Sequence, residues 1–173
     1  MNKTIESAFN EHLNAELFSA YLYLSMANYF AAENLEGMAT WMRIQFDEER
    51  MHADKFIDFI NDRDGRVILE QIDKPKSDWS SPLEAFQDAL DHERLISQKI
   101  NALVDLAVKE SDHAANTFLQ WFVTEQVEEE ANVQPIVGKL KMIKDNSMGL
   151  LMLDEQLGQR SPNDTANGAD PAA

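Results

Sequence analysis

The sequence predicts an all-α fold: a four-helix bundle with one long crossover and a short fifth C-terminal helix. Three observations carry this expectation. Four long stretches repeat apolar residues at alternating spacings of four and three, the period of a helix face turned toward a core. Only six glycines and five prolines occur in 173 residues, too few for the turns of a many-stranded fold. Finally, the first and third links between these stretches are short while the middle one is long. Short links make antiparallel neighbours, so the chain reads as two hairpins joined by a crossover.

The first helix is expected from about Thr4 to Glu33, with a core seam of Phe9, Leu13, Glu16, Ala20, Tyr23, Ala27 and Phe30. Turn chemistry from Asn34 to Gly37 leads into a second helix that ends at Asp64-Gly65. Its seam is Met38, Met42, Gln45, Glu49, His52, Phe56 and Phe59. A linker of about 18 residues follows, long enough to run the length of a helix and return the chain to the other end. Val67-Ile68-Leu69 and Ile72 give that linker the apolar content of a short strand. Ser81-Pro82-Leu83-Glu84 opens the third helix with an N-cap serine, a first-turn proline and a capping-box glutamate. Phe86, Leu90, Glu93, Ser97, Ile100, Val104 and Ala107 form its seam. Ser111-Asp112 caps the fourth helix, whose seam runs Ala115, Leu119, Phe122, Gln126, Glu129, Val133, Ile136, Leu140 and Ile143, with a bend expected at Pro135. Met148 to Leu157 is too short to cross a bilayer and too apolar to lie exposed, which points to burial against other subunits. Residues 1–159 are thus expected to be one domain, and residues 160–173, without a bulky apolar side chain, a disordered tail.

The formal net charge is −16, which excludes nucleic acid and anionic membrane as partners and favours cations. Cysteine is absent, so disulfides and thiolate metal sites are excluded. The N-terminus carries no signal-peptide pattern and no apolar run is long enough to span a bilayer, so the expected location is the cytoplasm.

Each of the four seams is interrupted by acid at one level: Glu16, then Glu49 with His52, then Glu93, then Gln126 with Glu129. Glu16 to Glu49 spans 33 residues, as does Glu93 to Gln126, so each hairpin offers one carboxylate and one pair three residues apart. Residues at that spacing share a helix face. No lysine or arginine lies on any seam to compensate. An unpaired carboxylate in a dry seam costs several kcal/mol, roughly, after relaxation. Two divalent cations would balance the four glutamates, and carboxylate with imidazole suits iron or zinc. A bundle of this kind with inward Glu and Glu-x-x-His residues is a known design for a di-metal site. A second set, Glu48, Glu125 and Glu128, lies one residue earlier and so is turned by about 100°; a solvated acidic face explains its spacing equally well. Tyr23 and Trp121 fall near the acid level, as electron donors or as core aromatics. His12, His92 and His113 lack a second ligand at helical spacing and read as surface or satisfied histidines.

At these residues the chain resembles the bacterial non-haem ferritins, over about Met1 to Gln159. The resemblance implies a ferritin-like fold, a ferroxidase that oxidises Fe²⁺ to Fe³⁺ with O₂ or H₂O₂, and an iron store. It implies a first iron site of Glu16, Glu49 and His52, and a second shared by Glu49 and completed by Glu93 and Glu129, with Gln126 and Tyr23 beside the centre. It further implies a third iron site from Glu48, Glu125, Glu128 and Glu129, and a hollow homo-oligomer of 24 subunits with the fifth helix at the four-fold axes. The fourth helix has Gln126-x-x-Glu129 and Arg50 follows Glu49, unlike haem-containing bacterioferritins, so no haem is expected. Two other classes stay open on the residues alone: a non-catalytic metal-stabilised bundle, and a di-iron oxygenase acting on an organic substrate.

Overall fold

The computed structural model describes residues 1–144 and 146–161. Five helices follow in order: α1 (Lys3–Ala32), α2 (Glu36–Asp62), α3 (Pro82–Lys109), α4 (His113–Ile143) and α5 (Ser147–Leu157). No strand occurs among the described residues. α1 packs along α2 and α3 along α4, and residues 63–81 carry the chain from one hairpin to the other.

Local chemistry sets the helix ends. Asn2, Ser81, Asp112 and Asn146 each accept a backbone N–H from the first turn of their helix. Three of the long helices end alike. Asn34, Asp64 and Ser111 take positive φ, and the next residue's N–H reaches back to Phe30, Ile60 and Ala107 respectively, closing a Schellman motif at each end. The capping-box glutamate is shifted by one residue: Glu84 accepts from the Ser80 N–H at 2.7 Å, not from Ser81. α2 has no cap of its own. Asp154 of α5 supplies one, accepting the Met38 N–H at 2.7 Å. Gly37 permits this approach, because a Cβ there would fall 1.7 Å from the Asp154 carbonyl oxygen. α4 runs through Pro135 as one helix.

The crossover contains no strand, contrary to expectation, and Ile68, Leu69 and Ile72 are exposed. Among the described residues no strand edge offers a ladder. Asn10 pins the segment to α1 instead, donating to the Arg66 carbonyl and accepting the Ile68 N–H at 2.7 Å. Arg160 folds back onto α2, where Gln45, Glu48 and the Trp41 ring receive it. The rest of the tail, from Pro162, lies outside the described residues.

Two apolar clusters fill the bundle. One gathers Tyr23, Phe30, Met42, Phe86 and Val133. The other gathers Phe9, Phe56, Ile100, Leu119 and Phe122. Each fully buried large side chain contributes about 1.5–3 kcal/mol. Between these clusters in sequence lies a buried polar layer of Glu16, Gln45, Glu49, His52, Glu93, Gln126 and Glu129.

Candidate metal centre

All four long helices feed the polar layer, because each seam carries its acid at the same height. Glu16, Glu49, His52, Glu93 and Glu129 are at most 1% exposed. Glu16, Glu49 and His52 form one group whose possible ligand atoms lie within 4.8 Å of one another. His52 Nδ1 is 3.4 Å from Glu49 Oε2 and 3.8 Å from Glu16 Oε2. A second such group is His52, Glu125 and Glu129, with His52 Nε2 3.9 Å from Glu125 Oε1. Glu16 Oε2, Glu49 Oε2 and His52 Nε2 are buried without a hydrogen-bond partner. Buried polar atoms are nearly always satisfied, and two orphan carboxylate oxygens beside His52 Nδ1 fit the donor set of a divalent cation, while the orphan Nε2 faces Glu125.

The remaining members are held by neighbours. Tyr23 Oη donates to Glu93 Oε1. Gln126 Nε2 donates to Glu93 Oε2 and to the Glu93 carbonyl, each at 3.2 Å. Gln126 therefore meets Glu93 through a donor nitrogen and orients it. Glu129 Oε2 accepts from Gln45 Nε2 at 2.8 Å. His12 Nε2–H donates to Glu16 Oε1 at 2.7 Å, leaving only Oε2 directed at the centre.

Charge is short of compensation here. Burial pushes the Glu16 carboxyl up, but the imidazoles of His12 and His52 outweigh it and hold the group down at about 2. Burial and then the charge of Glu93 raise Glu49 well above the carboxylate range. Burial likewise lifts Glu93 to about 7, against the hydrogen bonds from Tyr23 and Gln126. Burial, then Glu93 and Glu48, lift Glu129 to about 8. Burial disfavours the charged form of His52, yet the carboxylates of Glu125 and Glu49 raise it well above its ordinary value. The raised carboxyls mark a layer where added positive charge would be welcome.

The three residues of the offset set diverge. Glu125 turns inward to His52 and Glu129. Glu48 is buried but engaged by Arg160 at 2.9 and 3.0 Å. Glu128 is exposed. Glu125 and Glu129 thus share a group with His52, of which Glu48 and Glu128 are not members. Trp121 stands edge-on to His52, with ring centroids 5.5 Å apart, and Lys55 Nζ lies 4.3 Å over its ring. His92 pairs with the Ser19 hydroxyl at 2.7 Å, and burial pushes it down to about 4. His113 is exposed.

Sequence reasoning missed three supporting residues. His12 had a usable signal, its spacing of four from Glu16. Gln45 stood in the seam without an assigned partner. Arg160 had no local signal, since its contacts lie more than 110 residues away in the chain.

The sequence profile of the ferritin-like domain matches residues 6–143. A bacterial non-heme ferritin of Bacteroides fragilis is 44% identical over 160 residues, covering 92% of this chain and 99% of that protein. One from Staphylococcus epidermidis is 39% identical over 164 residues, covering 95% and 99%. The open-pore ferritin of the archaeon Archaeoglobus fulgidus superposes with a TM-score of 0.92 at 46% identity, covering 93% of this chain and 99% of that one. The matched profile, the shared bundle and the acid layer at its centre agree: the chain belongs to the ferritin family.

Proposed function

We propose that the chain is the subunit of an iron-storage ferritin that oxidises Fe²⁺ at an intrasubunit di-iron centre and deposits the Fe³⁺ as a mineral inside a hollow shell. One observation carries the reading: Glu16 Oε2 and Glu49 Oε2 are orphaned beside His52 Nδ1 at the middle of an otherwise apolar bundle. Family membership points the site to iron.

Glu16, Glu49 and His52 Nδ1 form the first ferrous site; Glu49, Glu93 and Glu129 form the second, with Gln126 and Tyr23 positioning Glu93. Paired catalytic metals stand about 3.5–4 Å apart, a separation that a shared Glu49 permits. Each Fe²⁺ gives up one electron. Dioxygen takes the two electrons and two protons to leave H₂O₂, or H₂O₂ takes them to leave two waters. Anionic ligands favour the more highly charged product, and protons that the raised carboxyls release when metal binds supply part of this demand. Glu125, joined by Glu129, extends the acidic path beyond the pair, and a third iron held there would need Glu48 released from Arg160 and Glu128 turned inward. No haem is required.

Assembly follows the family pattern of 24 subunits. Met148, Leu151 and Met152 of α5 are 66%, 55% and 66% exposed, an apolar face suited to burial at four-fold axes. Among the described residues no helix is long and apolar enough to cross a membrane, in keeping with a cytoplasmic store.

The test is aerobic Fe²⁺ oxidation followed by ultraviolet absorbance. Glu49→Ala with His52→Ala is expected to slow the first rapid phase by about 100-fold or more, since losing even a residue that merely supports a metal's ligands costs about 10–100-fold. Oxidation at the wild-type rate would remove the assigned centre. Gel filtration of the loaded protein should show a particle about twenty-four times the 19.7 kDa subunit, carrying iron; a small iron-free oligomer would favour a metal-stabilised bundle.

A further inference from the structure

Arg160 lies just beyond α5, in a stretch whose composition marks it as tail. Its side chain is nevertheless only 11% exposed. Nη2 reaches both oxygens of Glu48, at 3.0 and 2.9 Å. Nη1 donates to Gln45 Oε1. The guanidinium carbon stands 4.8 Å from the centre of the Trp41 ring. The same side chain lines a surface cavity of about 510 Å³ whose wall includes Glu128 and Lys139.

Two consequences follow from the chemistry of these contacts. First, a guanidinium is always charged, and its two terminal nitrogens divide here between both Glu48 oxygens and Gln45, so it satisfies Glu48 as a cation would. Second, because Gln45 accepts from Arg160 through its oxygen, its amide nitrogen must face the other way, and there it donates to Glu129 at 2.8 Å. One side chain from the C-terminal segment therefore holds Glu48 directly and Glu129 through a single amide. Glu129 belongs to the group with His52 and Glu125, and in that group His52 Nε2 is buried and without a hydrogen-bond partner.

We propose that Arg160 is a tethered counter-cation that competes with a mobile divalent cation beside the His52–Glu125–Glu129 group, so that cation retention there is coupled to docking of the C-terminal segment. When Arg160 is docked, Glu48 is engaged and Glu129 is fixed by Gln45; a further cation arriving at Glu125 finds a depleted ligand set. When Arg160 lifts away, Glu48 is released, Gln45 is free to turn, and the group gains a carboxylate. Arg160 acts here as a positioning residue and touches no reacting atom. The inference rests on the reading of the acid layer as a cation site.

The experiment is anaerobic calorimetric titration of the apo full-length assembly with Zn²⁺, a redox-silent probe. Wild type should bind two ions per subunit tightly and any further ion weakly. Arg160→Gln should leave the tight Glu16–Glu49–His52 site unchanged and strengthen the further ion by about tenfold or more, the scale of one lost charge-assisted competitor. Arg160→Lys, which keeps the charge but not the fork, should fall between the two. Arg160→Gln with Glu48→Gln should lose the gain, which a merely structural role would not predict. As a second readout, Zn²⁺ loading of wild type should speed amide hydrogen exchange in residues 158–161. A further-ion affinity in Arg160→Gln equal to wild type, with the Glu16–Glu49–His52 site intact, overturns the coupling alone. Wild type that binds no Zn²⁺ in the bundle overturns the reading of the site beneath it.

Discussion

Tyr23 shows how a buried polar side chain serves a neighbour. Its ring belongs to the apolar cluster and its hydroxyl satisfies Glu93, with neither atom set in reach of water. Tyr23→Phe keeps the packing and orphans a Glu93 oxygen. The expected loss is about 1–3 kcal/mol in the apo protein, the desolvation cost of one buried unmade hydrogen bond, read by denaturant unfolding. With divalent cation bound the loss should shrink, because the metal gives Glu93 another partner; an equal loss in both states would mean that Glu93 is no ligand. At this scale the sequence was legible wherever a residue broke a periodic pattern. Glu16, Glu49, His52, Glu93 and Glu129 each interrupt an apolar seam, and each is buried in the polar layer. His12, Gln45 and Arg160 were not legible as parts of the site because they act on those residues. Their roles are set by distances between helices, and only His12 had a spacing that hinted at its partner. Glu48, Glu125 and Glu128 share one offset in sequence yet take three environments, since a rotation about the helix axis does not say what a neighbouring element brings to that face.

Between residues and the whole bundle, the helix ends carry most of the cross-chain chemistry. Asp112 caps α4 by accepting the Ala115 N–H at 3.0 Å, and it also receives Arg63 from the end of α2 through two bonds of 3.1 Å. Arg63 is the main cause, with the cap adding to it, that holds the Asp112 carboxyl below its ordinary value. A carboxyl depressed in the fold stabilises it while ionised. That contribution is complete above the unfolded value near pH 3.9 and is shed as pH falls through the lower folded value. Asp112→Asn keeps a capping oxygen but loses the ion pair. It should cost about 1–2 kcal/mol at pH 7, and the gap to wild type should narrow below about pH 4. A gap that stays constant across this range in chemical denaturation would assign the effect to packing. The helices themselves were legible from periodicity and from caps such as Ser81 and Asp112. The crossover was misjudged as containing a strand because Val67-Ile68-Leu69 has strand composition without a strand to pair with. Asp154 capping α2 from α5 was not legible either. It depends on Gly37 letting two backbones meet, a contact between residues more than 110 positions apart.

For the whole molecule, the decisive quantity is the cost of holding four carboxylates in a dry layer. The apo protein relieves it by keeping Glu49, Glu93 and Glu129 protonated more readily than in water, with burial the leading cause for each. A cation that binds the folded state and not the unfolded one adds RT ln(1 + [L]/Kd), about 4 kcal/mol at a thousandfold excess over Kd. That corresponds to a rise of roughly 8–16 °C in Tm for a domain of this size. Glu49→Gln separates this gain from the fold itself. Its amide is the same shape as the neutral acid, so the apo protein should unfold at or above the wild-type temperature, within about 1 kcal/mol. Its Zn²⁺-induced shift should nevertheless collapse, since Glu49 is the ligand shared by the two proposed sites. Differential scanning calorimetry with and without Zn²⁺ reads both quantities in one experiment. An apo Glu49→Gln protein much less stable than wild type would mean that the ionised Glu49 holds the bundle together. The acid layer would then be a structural network, and cation binding would be incidental to it. The opposite pair of outcomes, a stable apo fold with no cation response, is what a layer kept for its cargo at the expense of its own packing must show.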